Sequence, residues 1–378
     1  MALVKIAIIG FGFAGQSAYQ RLKHVKNVEL IVFNKTPENI FLPLLPEALS
    51  NSIDLKYITY DIDTCLRRKQ CLFIQDAVSG IDVENKTITA ERYVYSYDYL
   101  LIAAGSEANF YQNKKLAEAA YSITEPANLA KIKNKLNDKN INNVVIAGGG
   151  YTGVEIATHV KKLSKILRKE LNVMIIESSD QLLNVMPRWI KEYVYGELAL
   201  LGVTYQLSCR VTDIQDRRIQ LSNGVVVDDA LLIWSAGVKP PDFVEKLPFA
   251  KDKMGRLITD KYLKVDERVF VAGDCAAYLW KNDYLRMAVR FAIDEGRAAA
   301  KNIVRSMAQQ SLKRYIPIDP GYLVPLAGTN ACGDVFKVKI KGYPGILMHY
   351  LLCFIYSYGI KNRWKVLTQL LLKRGALL

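Results

Sequence analysis

A chain of 378 residues that is 51% apolar and 23% charged has the balance of a folded protein, and its length suits about two to three domains; a disordered chain is excluded. The formal net charge of +14 calls for an anionic partner: nucleic acid, an acidic membrane surface or a phosphorylated ligand. Six cysteines with no C-x-x-C spacing, and only three histidines, argue against a zinc-type cluster and fit a reducing compartment with mostly inert thiols.

The run V-K-I-A-I-I at Val4 to Ile9 predicts a buried parallel strand. It runs directly into a glycine motif that leader cleavage would destroy, so no secretory leader is expected. Gly10, Gly12 and Gly15 form G-x-G-x-x-G, a helix is predicted to about His24, and a second strand at Val28 to Phe33 ends on Asn34. Strand, glycine turn, helix and strand make a dinucleotide-binding unit. The first glycine allows the turn, the second admits the pyrophosphate, the third lets helix and strand pack, and the helix N-terminus offers N–H groups to the phosphates. The alternative is a tight turn in an unliganded α/β domain.

Tyr97 to Ser106 predicts a strand ending in a small-residue turn at Gly105, and Lys131 to Asn143 a surface helix plus turn. The unit then recurs. Asn143 to Ala147 is apolar, Gly148, Gly150 and Gly153 repeat the motif, a helix starts near Val154, and Val173 to Ile176 ends at Glu177. Two fingerprints predict two dinucleotides in two Rossmann-like units, an α/β fold. A carboxylate at Glu177 can accept both ribose hydroxyls and repel a 2′-phosphate, which favours NADH over NADPH; the competing reading is an exposed strand-end acid. Asn34, at the equivalent place, makes an uncharged ribose contact. Ala230 to Gly237 partners the Tyr97 strand in the second half. Val269 to Asp274 is a strand ending in Gly273-Asp274, whose carboxylate suits a ribityl or ribose hydroxyl or a helix N-cap. Leu285 to Val304 predicts an Ala-rich helix whose N-terminal dipole can face an electron-rich group.

Residues 335–378 hold eight Lys or Arg and no acid. The uncharged run Ile346 to Ile360 spans about 22 Å as a helix at 1.5 Å per residue, short of the roughly 30 Å hydrocarbon core. Trp364, Leu367, Leu370 and Leu371 follow at helical spacing among basic residues. This pattern predicts an amphipathic segment lying on a membrane surface. A homodimer contact or a helix pair covering the core are competing readings, and a spanning helix is disfavoured. Nucleic acid is disfavoured too, because the basic residues interleave with aliphatic runs.

The ordered set G-F-G-F-A-G, F-L-P-L-L-P-E-A-L at Phe41 to Leu49, I-A-A-G-S-E-A-N-F at Ile102 to Phe110, G-G-G-Y-T-G-V-E at Gly148 to Glu155, W-S-A-G-V, V-F-V-A-G-D-C-A and G-I-K-N-R-W resembles the two-dinucleotide flavoproteins, and most of all the type II NADH dehydrogenases. The resemblance implies FAD held by Gly10, Gly12, Gly15, Asn34, Gly105, Gly273 and Asp274, and NADH held by Gly148, Gly150, Gly153, Glu177 and Gly237. It implies a discontinuous FAD domain at 1–118 and 255–334, an NADH domain at 119–254 and a membrane-associating segment at 335–378. It places Glu155 where nicotinamide and flavin meet. The implied activity is hydride transfer from NADH to flavin and electron transfer to a membrane quinone, on the cytoplasmic face of the cell membrane as a peripheral (monotopic) protein. One departure stands out: the family's two quinone-site glutamines fall on Arg290 and Asp294, a pair one helical turn apart that can either donate to a quinone carbonyl or close on itself as a salt bridge. With Glu155 they are the candidate catalytic residues. No metal is expected.

Two rivals remain open. A sulfide:quinone oxidoreductase needs a redox cysteine pair, for which Cys332 alone is placed; soluble disulfide reductases need a cysteine between Asn34 and Ile53, where there is none. A non-catalytic NADH-sensing flavoprotein is the alternative from another class.

Overall fold

The computed structural model describes residues 3–66, 71–91, 93–327 and 330–375. It divides into two compact units, one of residues 1–40, 60–107 and 239–319, the other of residues 41–59, 108–238 and 320–378.

The first unit is built on a five-stranded parallel sheet in the order Val269–Val271, Tyr99–Ile102, Val4–Ile9, Val28–Asn34, Cys71–Gln75. The register is in step from Val4 opposite Val28 to Ile9 opposite Phe33. Strand alternation sends Ile6, Ile8, Leu30, Val32, Leu101 and Phe270 to one face of the sheet, in a cluster with Ala18, Tyr19 and Leu22 of the Phe13–Leu22 helix. Ala7, Ile9, Ile31, Phe33, Leu100 and Ile102 go to the other face, with Phe243, Val244 and Leu247. Because both faces are covered, the strands read as unbroken apolar runs rather than alternating ones. Burying each such side chain is worth about 2 kcal/mol.

The second unit repeats the plan: Tyr121–Ser122, Ala230–Trp234, Asn143–Ala147, Asn172–Ile176 and Val203–Gln206 form a parallel sheet in that order. The Tyr151–Leu167 helix follows its glycine loop. This unit also holds the Leu45–Leu49 helix, a three-stranded antiparallel sheet (Gly321–Leu326, Asn330–Val335, Val338–Gly342), and the helices Tyr343–Tyr356 and Ile360–Gly375.

These units depart from the expected boundaries. Residues 41–59 and 108–118 belong with the second unit, because the Leu45–Leu49 helix packs on the Tyr151–Leu167 helix. Residues 239–254 belong with the first, and residues 320–334 with the second rather than the first. Residues 335–378 are no separate body: the Tyr343–Tyr356 helix packs on the antiparallel sheet that precedes it. Two elements also end differently from expectation. The late helix begins at Val289 rather than Leu285, since Ala288 is extended and the Leu285 N–H bonds to Tyr278 O. The apolar run Ile346 to Ile360 is split: the helix stops at Tyr356, and Gly359 takes a φ of +73° that turns the chain into the next helix. Among the described residues no helix is long and apolar enough to cross a membrane. Residues 376–378 of the tail, and the side chains of Lys361, Leu371, Lys373 and Arg374, lie outside what is described.

Candidate functional site

Each unit presents a glycine loop between its first strand and helix, and the two loops share one geometry. Gly10 and Gly148 sit at φ +91° and +104°, with the neighbouring strand's turn so close that a Cβ would strike Ala103 or Ser235. A Cβ on Gly15 or Gly153 would collide with the carbonyl of the loop's first glycine. Gly12 and Gly150 face open space. Both are helix N-caps with no side-chain cap, so the N–H groups of the first turns remain available. A shaped void beside uncapped N–H groups fits a pyrophosphate.

The strand-end residues reach back to these loops. The Asn34 Oδ1 accepts from the Phe11 N–H at 3.0 Å, and its amide donates to Thr36 O at 2.8 Å. The Glu177 Oε2 accepts from the Gly149 N–H at 2.6 Å and its Oε1 from the Ser179 N–H at 2.8 Å. Half-burial alone would raise the Glu177 carboxyl, but the backbone donors of Ser179 and Gly149 outweigh it and hold it below its ordinary value. Glu177 is therefore an anion at neutral pH.

In the first unit Gly105 and Gly273 adopt positive φ. The Ser106 hydroxyl donates to Asp274 Oδ2 at 2.7 Å, and burial raises the Asp274 carboxyl despite that bond. Asp274 lies in a short 3-10 turn (Gly273–Cys275), so it caps no long helix. The Gly273 N–H is taken by Glu295, which no motif in the sequence marks; burial pushes its carboxyl up to about 8. Arg290 and Asp294 meet each other, Nε to Oδ2 at 2.6 Å, and Arg297 adds a 3.9 Å contact. The pair is closed as a salt bridge through the Arg290 Nε, which leaves the other guanidinium N–H groups outside that contact. Gly237, in the second unit, is closed in by the Tyr111 hydroxyl.

Glu155 does not stand at an open cleft. It lies in a buried polar cluster of the second unit, with Glu47 from the Leu45–Leu49 helix, His159 one turn further along its own helix, and His349 from the Tyr343–Tyr356 helix. His349 Nε2 and Glu47 Oε1 are 3.2 Å apart, and Cys353 Sγ is 3.6 Å from the same nitrogen. Ser50 Oγ lies 2.8 Å from both His159 Nδ1 and Ser52 Oγ. One ligand atom each of Glu47, Glu155 and His159 falls within 4.8 Å of the other two. Burial pushes Glu155 well above the usual carboxylate range, with the Glu47 charge adding to it. Burial would raise Glu47 as well, but the His349 hydrogen bond and charge bring it below its ordinary value. Burial presses His159 down to about 4. Burial works against a charge on His349 too, yet its partners hold the imidazolium; burial keeps Cys353 a thiol, so Glu47 supplies the opposing charge. The cluster is thus Glu155 neutral, Glu47 anionic, His349 cationic and His159 neutral. Of these four, sequence reasoning named Glu155 only. The signal available was the placement of two of only three histidines, and of one acid in P-L-L-P-E-A-L, inside apolar runs.

Cys332 is buried and its thiol is pushed up to about 12, as is that of Cys275. Neither is poised as a thiolate.

Comparison with known proteins agrees with this geometry. A type II NADH:quinone oxidoreductase of Staphylococcus aureus is 22% identical over 379 aligned residues, covering 91% of this chain and 92% of that protein. Among solved structures, NDH2 from Plasmodium falciparum in complex with NADH shares the fold with a TM-score of 0.86 at 16% identity, over 98% of each chain. The sulfide:quinone oxidoreductase of Aquifex aeolicus does so at 0.78 and 17% identity, over 97% of this chain and 92% of that one. The family model described as pyridine nucleotide-disulphide oxidoreductase matches residues 4–296, and with two glycine-loop units of the geometry above, the chain belongs to that family.

Proposed function

We propose that this protein oxidises NADH and passes the electrons through a flavin to a membrane quinone. The observation that carries the reading is the repeated cradle: two units, each with an open middle glycine before an uncapped helix, of which the second ends its ribose strand in an anionic Glu177. The name shared by the Staphylococcus aureus relatives supports the same activity.

In this reading Gly10, Gly12, Gly15, Asn34, Gly105, Gly273 and Asp274 hold FAD, and Gly148, Gly150, Gly153, Glu177 and Gly237 hold NADH. FAD, when bound, supplies the two-electron relay. The chain's own residues orient and select: Glu177 accepts from the ribose hydroxyls and repels a 2′-phosphate, and Asp274 and Ser106 offer a hydrogen-bonded pair to a flavin's polyol. Glu155 is the proton donor. Arg290, held by Asp294, presents its remaining N–H groups to a quinone carbonyl.

The tail supports a quinone in the membrane. The Tyr343–Tyr356 helix buries Ile346, His349, Tyr350 and Cys353 and exposes Leu347, Leu351 and Ile355 one turn apart; Trp364 is exposed on the next helix, and Lys337, Lys339 and Lys341 are exposed just upstream. An apolar row flanked by lysines and free of acids suits a monotopic attachment to anionic lipid, on the cytoplasmic face of the cell membrane. Sulfide as donor is disfavoured because Cys332 is held as a thiol.

The test is an anaerobic rapid mix of the flavin-loaded protein with NADH, then with a quinone analogue, following the flavin's visible band. Bleaching by NADH and recovery with quinone is expected. Bleaching by sulfide alone would move the assignment to the sulfide enzyme, and no response to either donor would leave a non-catalytic sensor.

A further inference from the structure

Three acceptors meet in the buried cluster of the second unit. Glu155 and His159 form Glu-x-x-x-His, one turn apart on one face of the Tyr151–Leu167 helix, and Glu47 meets them from the Leu45–Leu49 helix. One ligand atom of each lies within 4.8 Å of the other two, and Glu47, Glu155 and His159 are 0%, 4% and 0% exposed. Among the described residues, Glu47 Oε2, Glu155 Oε1 and His159 Nε2 have no hydrogen-bond partner. The remaining atoms are engaged: Glu47 Oε1 with His349 Nε2 at 3.2 Å, His159 Nδ1 with Ser50 Oγ at 2.8 Å, and Ser50 Oγ with Ser52 Oγ at 2.8 Å. Buried polar atoms left without partners are rare, and here three share one place. With Nδ1–H donating to Ser50 Oγ and the Ser50 hydroxyl donating to Ser52 Oγ, His159 Nε2 presents a lone pair. The opposite tautomer would bury an N–H on Nε2 that bonds to neither carboxylate. A proton or a single water serves two of three acceptors; a cation serves all three.

We propose that Glu47, Glu155 and His159 form a binding site for a divalent first-row transition ion, with Zn²⁺ the ion their donor set suits best. The imidazole sets the site apart from the all-oxygen sets that calcium and magnesium take, and a set without thiolate does not favour copper(I). Two carboxylates against one dication leave no net charge among the ligands, which a dry interior requires. The contacts around the three ligands are those that orient a metal site. His349 holds the second oxygen of Glu47, and Ser50 holds the second nitrogen of His159, fixing its ring and its tautomer. The cation takes the place of the proton that burial keeps on Glu155, so a chain that carries it has no proton to give from that residue. The site lies wholly within the second unit, and it does not rest on the NADH-to-quinone reading.

The experiment strips the flavin-loaded full chain with a chelator, adds Zn²⁺ alone and removes the excess. Bound metal per chain, zinc-edge X-ray absorption and thermal melting are then measured. One zinc per chain is expected, held by nitrogen and oxygen at about 2.0–2.2 Å, with a melt that rises on loading. Glu47→Gln and His159→Asn should lose both the stoichiometric zinc and the rise. Ser50→Ala, which removes only the contact orienting His159, should weaken binding roughly tenfold or more. A wild-type chain that retains no zinc would overturn the proposal and leave a proton or a water among the three acceptors. Sulfur at about 2.3 Å from the metal would overturn it as well, because the ion would then sit on a thiol such as Cys353. So would full retention of zinc in His159→Asn. The absorption spectrum is read on wild type, so it decides the ligand set even where a variant fails to fold.

Discussion

The two glycine loops are built alike and finished differently. In each, the residue after the first glycine donates its N–H to the strand-end side chain: Phe11 to Asn34, Gly149 to Glu177. The first loop closes with a neutral amide, and Phe11 can carry a ring because that ring turns into the core, 1% exposed, edge-on to Tyr19. The second loop closes with a carboxylate, and its equivalent position must be glycine, since a Cβ there would meet Leu182 and Glu177 itself. The same fold thus sets the backbone in both halves, while one side chain per half sets the charge at the end of the second strand. The first unit places its acids elsewhere, at Asp274 and Glu295 around Gly273.

The largest expected effect breaks what the loops share. Gly153→Ala puts a methyl into the Gly148 carbonyl, an overpacking with no soft neighbour to yield; a loss of about 3 kcal/mol is expected. Thermal unfolding should show it, together with loss of the NADH response, and an unshifted melt would mean that the helix does not sit this close to the loop.

Next is the residue on which the loops differ. Glu177→Gln keeps the hydrogen-bonding shape and removes the charge. Relative use of NADPH over NADH should rise by about tenfold, equivalent to about 1.4 kcal/mol, in kcat/KM measured with both cofactors. An unchanged ratio would remove Glu177 from the ribose assignment.

The acid of the first unit sharpens the contrast through pH. The folded-state value of Glu295 is about 8, above its ordinary carboxylate value, because burial penalises the anion. The sign follows from linkage: the penalty is absent below the ordinary carboxylate range, grows as pH rises, and is complete above about pH 8. The wild-type melting temperature should therefore rise as pH is lowered through about 8, and Glu295→Gln should flatten that slope. A slope unaltered by the substitution would mean that the carboxyl is ionised in the fold.

The smallest effect is Asn34→Ala, which frees the Phe11 N–H and should cost about 1 kcal/mol in a denaturant titration. A loss as large as that of Gly153→Ala would show that the first loop depends on its strand-end residue more than the second does.

Local signals carried much of the architecture. The apolar runs at Val4, Val28, Asn143 and Asn172 became sheet strands because a parallel strand covered on both faces needs no polar alternation. The first and third glycines of each motif were legible because positive φ or close backbone approach admits no other residue there. Ala-rich composition starts the late helix four residues too early, because it says nothing of an extended Ala288. The Ile346 to Ile360 run predicts one helix, because its hydrophobicity hides the turn at Gly359.

The sequence by itself determined the two glycine-loop units, their turns and the charge of the side chain that ends each second strand, since these depend on neighbours close along the chain and on backbone sterics. Only the tertiary structure decided that the Arg290 and Asp294 side chains close on each other, and that Glu155 is buried with Glu47 and His349. Glu47 and His349 lie 302 positions apart. No periodicity connects them; a low-dielectric interior that must balance its own charge does.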